Sequence, residues 1–113
     1  MRTDRVDKTI NPYYTESMEF GGILRDLRTR KGIGIKRLAP ELGVSYSYLS
    51  KLENNQVRPS EEFIERVANY FQYDRDRLLL AADRVPPEIL EILREHPEDA
   101  IEFLRKRFGA RNA

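Results

Sequence analysis

The sequence has no cysteine and no tryptophan, and its single histidine is His96. Without cysteine there are no disulfides, thiolate metal sites or cysteine nucleophiles, which is compatible with a reducing compartment. His96 precedes Pro97 at an expected helix end, so we interpret it as a surface or capping residue. Neither a Ser/His/acid set, a phosphate-binding glycine loop nor a metal-ligand cluster is recognisable. We therefore expect no enzymatic activity and no cofactor or metal.

Long apolar runs are also missing. No stretch approaches the roughly 18 residues that a membrane-spanning helix needs, and residues 1–8 lack the apolar segment of a signal peptide. We therefore expect a cytoplasmic protein that is not inserted in a membrane. A length of 113 residues favours one compact domain with tails.

The formal net charge of +1 conceals a weak polarity along the chain. The first 60 residues hold eleven Lys and Arg against seven Asp and Glu, whereas the remainder holds nine against twelve. This distribution is compatible with one face that meets a polyanion. On charge alone we favour the alternative, in which the charges are scattered over an ordinary solvated surface.

Apolar residues recur every three to four positions in most of the chain, which predicts an all-α fold. Two short segments in the middle flank a tight turn at Gly43-Val44-Ser45. Gly43 suits the positive φ that ends a helix, and Ser45 suits the cap that begins the next. The predicted helices cover about 18–31, 35–42 and 46–53, then begin after Ser60, after Asp74, near Pro86 and at Pro97.

Two glycines stand inside the first predicted helix, at Gly21 and Gly22, where each costs roughly 1 kcal/mol relative to alanine. Close approach to another backbone would explain them. Residues 1–17 show no sustained periodicity, and we interpret them as a flexible N-terminal arm.

Several short motifs occur in a characteristic order: Leu24-Arg25 with Leu27-Arg28, Leu38-Ala39, Gly43-Val44-Ser45, the segment 48–54, Arg58-Pro59-Ser60, and Phe71 with Leu78. In this order and spacing the sequence resembles the Cro/repressor (XRE-like) class of helix-turn-helix DNA-binding domains. The resemblance covers about residues 20–82. It implies a five-helix lambda-repressor-like domain over 18–82, followed by a C-terminal helical hairpin over 83–113.

The resemblance also implies how DNA would be contacted, with the third helix in the major groove. Residues expected to reach base edges are Tyr46, Ser47, Ser50 and Lys51. Residues expected at the phosphate backbone are Ser45, Lys36, Arg37, Asn54, Gln56 and Arg58, with ordinary surface charge as the alternative. For Tyr48 we favour aromatic packing over a place in the groove.

Two features of this sequence limit the DNA contacts that the resemblance implies. Ile35 stands where the family usually has a glutamine that touches a phosphate, and the side chain of Ile35 cannot donate a hydrogen bond. The third helix also lacks the Asn or Gln that reads adenine, so we expect a larger share of recognition from DNA shape. The positions of Arg28 and Glu53 imply a structural ion pair between the first and third helices.

The C-terminal hairpin carries more apolar residues than a five-helix domain needs. We expect a homodimer interface formed by Ile89, Leu90, Ile92, Leu93, Ile101, Phe103, Leu104 and Phe108, unless the hairpin folds back on its own core. The predicted function is a sequence-specific transcriptional regulator, a repressor that binds a palindromic operator in double-stranded DNA as a homodimer. The alternative is an antitoxin-like protein whose C-terminal helices bind a protein partner and which also regulates its own transcription.

Overall fold

The computed structural model describes residues 19–109 and contains seven α-helices and no strand in that range. The all-α prediction is thus confirmed, while the predicted arm over 1–17 lies outside the described residues. The helices are α1 (Phe20–Lys31), α2 (Ile35–Glu41), α3 (Tyr46–Glu53), α4 (Glu61–Phe71), α5 (Arg75–Ala81), α6 (Pro87–Glu95) and α7 (Pro97–Phe108).

Local sequence signals explain where most of these helices begin and end. The Oγ atoms of Ser45 and Ser60 accept from the backbone N–H three residues on, at 3.1 and 3.0 Å, and Asp74 caps α5 in a related way. Gly32 ends α1 with φ +77°, a left-handed conformation that glycine adopts readily. Small differences from prediction occur at α1, which begins at Phe20, and at α2, which ends at Glu41 instead of Leu42.

The hydrophobic core is formed by α1 to α5 and by the residues that directly follow α2 and α5. Its buried members line the inner faces of the five helices, so this part of the chain has a core of its own. They are Phe20, Leu24, Leu38, Ala39, Leu42, Leu49, Leu52, Phe63, Ile64, Val67, Ala68, Leu78, Leu79 and Ala82.

Helices α6 and α7 form a hairpin that contributes no buried residue. They contact each other, and the linker that leads to them is held against the five-helix domain. The Arg84 guanidinium donates from Nε and Nη2 to the Pro59 carbonyl oxygen, at 3.2 and 2.9 Å. Pro86, two residues farther along the linker, is buried. The start of the hairpin is therefore anchored to the five-helix domain.

Candidate nucleic-acid interface

The turn between α2 and α3 sets the direction of the third helix. Gly43 has φ +73°, and the Val44 N–H donates to the Ala39 carbonyl at 3.0 Å, which closes the end of α2. Arg66 of α4 donates from Nη1 to the Leu42 carbonyl at 2.9 Å and so satisfies the carbonyl of the residue that follows α2. Backbone and side-chain hydrogen bonds thus fix the crossing of the two helices.

Helix α3 has a buried face and an exposed face. Leu49, Leu52 and Glu53 are buried, while Ser45, Tyr46, Ser47 and Lys51 are exposed and Ser50 is half-buried. Tyr46 keeps 58% of its surface accessible, the most open aromatic side chain among the described residues of the five-helix domain. The four residues predicted to read bases therefore lie on the open side of this helix and its flanks.

Tyr48 lies at the border between those two faces. Its ring packs edge-to-face on Phe63 of α4 with a centroid distance of 6.4 Å. This contact agrees with the predicted packing role of Tyr48. Phe63 also contacts Phe20 in the same edge-to-face manner at 6.3 Å, so the aromatic cluster joins α1, α3 and α4.

The residues predicted to contact phosphates lie at the two ends of this exposed face. Lys36 and Arg37 are exposed in the first turn of α2, while Ile35 beside them packs against the core. At the other end Asn54 and Gln56 are exposed. Ser45 already uses its Oγ as the cap acceptor for α3, which leaves its hydroxyl hydrogen available as a donor.

Arg58, the last of the predicted phosphate contacts, lies farther along the loop after α3. It is exposed, and its Nη2 donates to the Asp83 carbonyl at 3.3 Å. This bond ties the loop after α3 to the residue that leaves α5. A contact between Arg58 and DNA would have to share or replace that weak hydrogen bond.

Arg28 and Glu53 form a bidentate ion pair between α1 and α3. Nε of Arg28 donates to Oε2 at 2.6 Å and Nη2 to Oε1 at 2.9 Å, while Nη1 donates to the Ile33 carbonyl at 3.1 Å. The hydrogen bond to Glu53 raises the pKa of the Arg28 guanidinium above its ordinary value. Because only 1% of the Glu53 side chain is exposed, this carboxylate depends on its arginine partners.

A second arginine at this junction was not predicted. The Arg25 side chain is 49% exposed, its Nε lies 3.4 Å from Glu53 Oε1, and its Nη2 donates to Asn54 Oδ1 at 2.8 Å. The Leu-Arg motif of α1 contains this residue, but only the way that α1 packs on α3 reveals its two partners.

The start of α1 lies directly on the end of α3, as the glycine pair suggested. The Gly21 N–H donates to Asn55 Oδ1 at 2.9 Å, and Asn55 adopts φ +57°. A Cβ at Gly21 would lie 2.5 Å from the Glu53 carbonyl oxygen and 2.6 Å from that of Leu52. Asn55 was not predicted, although an asparagine after a helix is a known candidate for positive φ.

The predicted hairpin interface is largely open to solvent. Six of its eight members are exposed by 41–64%, and Leu90 and Leu93 are half-buried. The exposed members are Ile89, Ile92, Ile101, Phe103, Leu104 and Phe108. Within residues 19–109 the hairpin thus does not fold back to enlarge the core.

In the part of the chain that the structure describes, no group of three or more His, Asp or Glu side chains is arranged to hold a metal ion. Over the same residues, none of the helices has the length and apolar character to cross a bilayer.

Helix α3 has an exposed polar face, follows a tight turn after α2 and is held to α1 by the ion pair of Arg28 and Glu53. This arrangement defines the domain as a helix-turn-helix domain. Residues 24–78 match the helix-turn-helix family model, which covers the chain from α1 into α5. This part of the chain matches the helix-turn-helix family, which agrees with the Cro/repressor (XRE-like) resemblance of the sequence.

The names of three relatives are compatible with this similarity. The chain is 49% identical to the HTH-type transcriptional regulator SlrR of Bacillus subtilis over 49 residues. The aligned residues make up 42% of this chain and 32% of SlrR. SinR of the same organism is 41% identical over 49 residues, 42% of this chain and 44% of its own length.

A phage protein matches over a longer stretch. The ImmF control region 10 kDa protein of Bacillus phage phi105 is 29% identical over 73 residues, 65% of this chain and 81% of that protein. In the two Bacillus subtilis regulators, by contrast, the chain spans less than half of each protein's length. No solved structure matches the chain at a significant level.

Proposed function

We propose that this protein is a sequence-specific DNA-binding transcriptional regulator, a repressor that inserts α3 into the major groove. The observation that carries the proposal is the open polar face of α3, with Tyr46, Ser47 and Lys51 exposed on a helix fixed from behind. Relatives whose names describe HTH-type transcriptional regulators support it.

The chemistry of this face fits a duplex. Lys51 can donate to guanine O6 and N7, Ser47 can donate or accept at several base edges, and the ring of Tyr46 can pack on a thymine methyl. The cationic side chains of Lys36 and Arg37 lie exposed at the start of α2, where they would meet the phosphate backbone. No amide side chain on the exposed part of α3 reads adenine, so DNA shape would contribute much of the specificity.

Selection from random DNA tests this function. The protein is incubated with a pool of random duplexes, bound DNA is sequenced, and the selected duplex is titrated at two salt concentrations. We expect an enriched consensus and an affinity that falls steeply with salt, because phosphate contacts release counterions. If the bound DNA contains no enriched consensus at either salt concentration, sequence-specific binding is refuted.

We further propose that two chains pair through α6 and α7 and so present two α3 helices to a palindromic operator. The exposed apolar side chains of the hairpin support a partner surface. Charge favours a second copy: α7 has Glu98 and Asp99 in its first turn, and Arg105, Lys106 and Arg107 in its last. Two α7 helices running antiparallel across a two-fold axis would bring each acidic end beside a basic end.

Light scattering coupled to size-exclusion chromatography tests the dimer. We expect the mass of two chains for the wild type and of one chain for Ile101→Glu, because a buried charge opposes association. Glu95→Gln, an exposed polar change on α6, serves as the control and should remain dimeric. A monomeric wild type at tens of micromolar would refute the interface.

A shortened chain links the dimer to DNA binding. A chain ending at Ala82 keeps every core residue and should stay folded. We expect it to bind the selected duplex much more weakly, since a single half-site contact replaces two. Equal affinity with and without residues 83–113 would show that the hairpin plays no part in operator binding.

The antitoxin-like alternative uses the same exposed apolar surface of the hairpin. A different protein on that surface would compete with the second copy, so the two assignments predict different masses. The alternative would be favoured if the protein, expressed from its native gene neighbourhood, purified as a stoichiometric complex with a second polypeptide. A homodimer that binds a palindrome unaided favours the repressor.

A further inference from the structure

The junction at the carboxyl end of α3 contains one more cation than its buried carboxylate requires. Arg28 alone supplies donors to both oxygens of Glu53, at 2.6 and 2.9 Å, and its side chain is only 14% exposed. Arg25 adds a second positive charge that is half exposed. One carboxylate and two guanidinium groups leave a net charge of +1, and the surplus lies on the solvent side.

Arg25 also determines how the Asn54 side chain is oriented. Asn54 Oδ1 accepts from Arg25 Nη2 at 2.8 Å, and Asn54 Nδ2 donates to the Ser50 carbonyl at 2.9 Å. The amide oxygen, which would repel a phosphate, is thus occupied by the guanidinium. One hydrogen of Nδ2 remains for a further acceptor.

A phosphate would otherwise be disfavoured at this place. The carboxyl end of a helix carries the negative end of the helix dipole, and Glu53 adds a full negative charge. Arg28 balances the charge of Glu53, and the charge of Arg25 exceeds the partial negative charge of the helix end. The same residue therefore orients the Asn54 donor and reverses the sign of the local field.

We propose that Arg25 and Asn54 form a phosphate clamp at the carboxyl end of α3, which binds one phosphodiester of the DNA backbone. Arg25 is the positioning and charge-supplying residue, and Asn54 is the donor that touches the phosphate oxygen. The proposal rests on the proposed DNA-binding function and adds to it a residue of α1 that none of the predicted contacts included.

Binding of a mixed-sequence 30-base-pair duplex, measured by fluorescence anisotropy over a series of salt concentrations, tests the clamp. We expect Arg25→Gln to weaken binding about tenfold near 0.1 M salt and to reduce the slope of log affinity against log salt by roughly 0.9, the value for one phosphate. Arg30→Gln removes the same charge from an exposed position on the same helix and serves as the control, with a smaller change in slope.

A double-mutant cycle separates the clamp from a general charge effect. Asn54→Ala should weaken binding, and adding it to Arg25→Gln should cost little more, because the two residues act as one unit. Circular dichroism melting should show that the wild type, the two single variants and the double variant are all folded at the assay temperature. Identical slopes for Arg25→Gln and Arg30→Gln, or fully additive losses for Arg25→Gln and Asn54→Ala, would refute the clamp.

The wild-type control distinguishes the two levels of failure. A wild-type protein that binds the duplex with a steep salt slope, while Arg25→Gln behaves like Arg30→Gln, would overturn the clamp and leave the proposed function standing. A wild-type protein that fails to bind the duplex even near 0.05 M salt would overturn both.

Discussion

Gly21 lies so close to Glu53 that a Cβ at its position would be 2.5 Å from the Glu53 carbonyl oxygen. The backbone of α1 meets the carbonyl end of α3, and the Gly21 N–H finds its acceptor in Asn55 at 2.9 Å. An N–H group in the first turn of a helix has no partner within that helix. The side chain of Asn55 therefore completes the start of α1 while it fixes the end of α3.

Gly21→Ala should destabilise the protein although alanine is the better helix former. The added Cβ would lie 2.5 Å from a backbone oxygen, and overpacking of this kind costs typically about 1–3 kcal/mol. The clash is with backbone atoms, so the cost should lie in the upper half of that range. The gain in helix propensity is about 1 kcal/mol, which leaves an expected net loss of about 1–2 kcal/mol in urea unfolding. An unchanged or increased unfolding midpoint would contradict the packing described for α1 and α3.

Gly34→Ser is the matched control at a second glycine. A Cβ at Gly34 meets nothing within 4 Å, and Gly34 caps α2 without a side-chain hydrogen bond. Serine would supply the missing acceptor, so we expect a gain of a few tenths of a kcal/mol in the free energy of unfolding. A loss as large as that of Gly21→Ala would indicate that glycine substitutions are harmful for another reason.

Glu53→Ala should reduce stability severely. It leaves Arg28, of which 14% is exposed, without its carboxylate, and breaking a buried pair in this way costs about 3 kcal/mol or more. Glu65→Ala removes a surface pair with Arg75 and should cost less than about 1 kcal/mol. Thermal melting compares the two variants. A Glu53→Ala protein with normal melting but abolished DNA binding would show that Glu53 acts at the interface and not in the fold.

Arg84→Gln should loosen the linker to the hairpin. The variant loses the two hydrogen bonds to the Pro59 carbonyl, each with a net value of roughly 1 kcal/mol. We expect faster proteolytic cleavage near residues 83–86 and a small decrease in melting temperature. Arg94→Gln, on the exposed surface of α6, provides the comparison. Equal cleavage of both variants would mean that Arg84 does not restrain the linker.

Local signals in the sequence were sufficient for most of the fold. Ser45 and Ser60 act as the helix caps that their residue types indicate, and α3 has the predicted bounds. Capping involves atoms three residues apart, so it can be predicted from a short window of sequence. The end of α2 was placed one residue too late because its last turn depends on the Gly43 turn and on Arg66 of a distant helix.

The contacts that escaped prediction join residues far apart in the sequence. Arg25 meets Asn54 across 29 positions, and Gly21 meets Asn55 across 34. A helical pattern shows that Arg25 is exposed but not which helix end it will face. The linker illustrates the same limit, because Arg84 finds the Pro59 carbonyl only once α4 and α5 have packed together.

The central claim is that the exposed face of α3 reads DNA sequence, and the specificity ratio of Lys51→Ala tests it most directly. This ratio divides the dissociation constant for a scrambled duplex by that for the duplex selected by the wild type. The account predicts a ratio about tenfold or more below that of the wild type, because a good contact to a base contributes about 1–3 kcal/mol of discrimination. An unchanged ratio in a folded Lys51→Ala protein would contradict the claim.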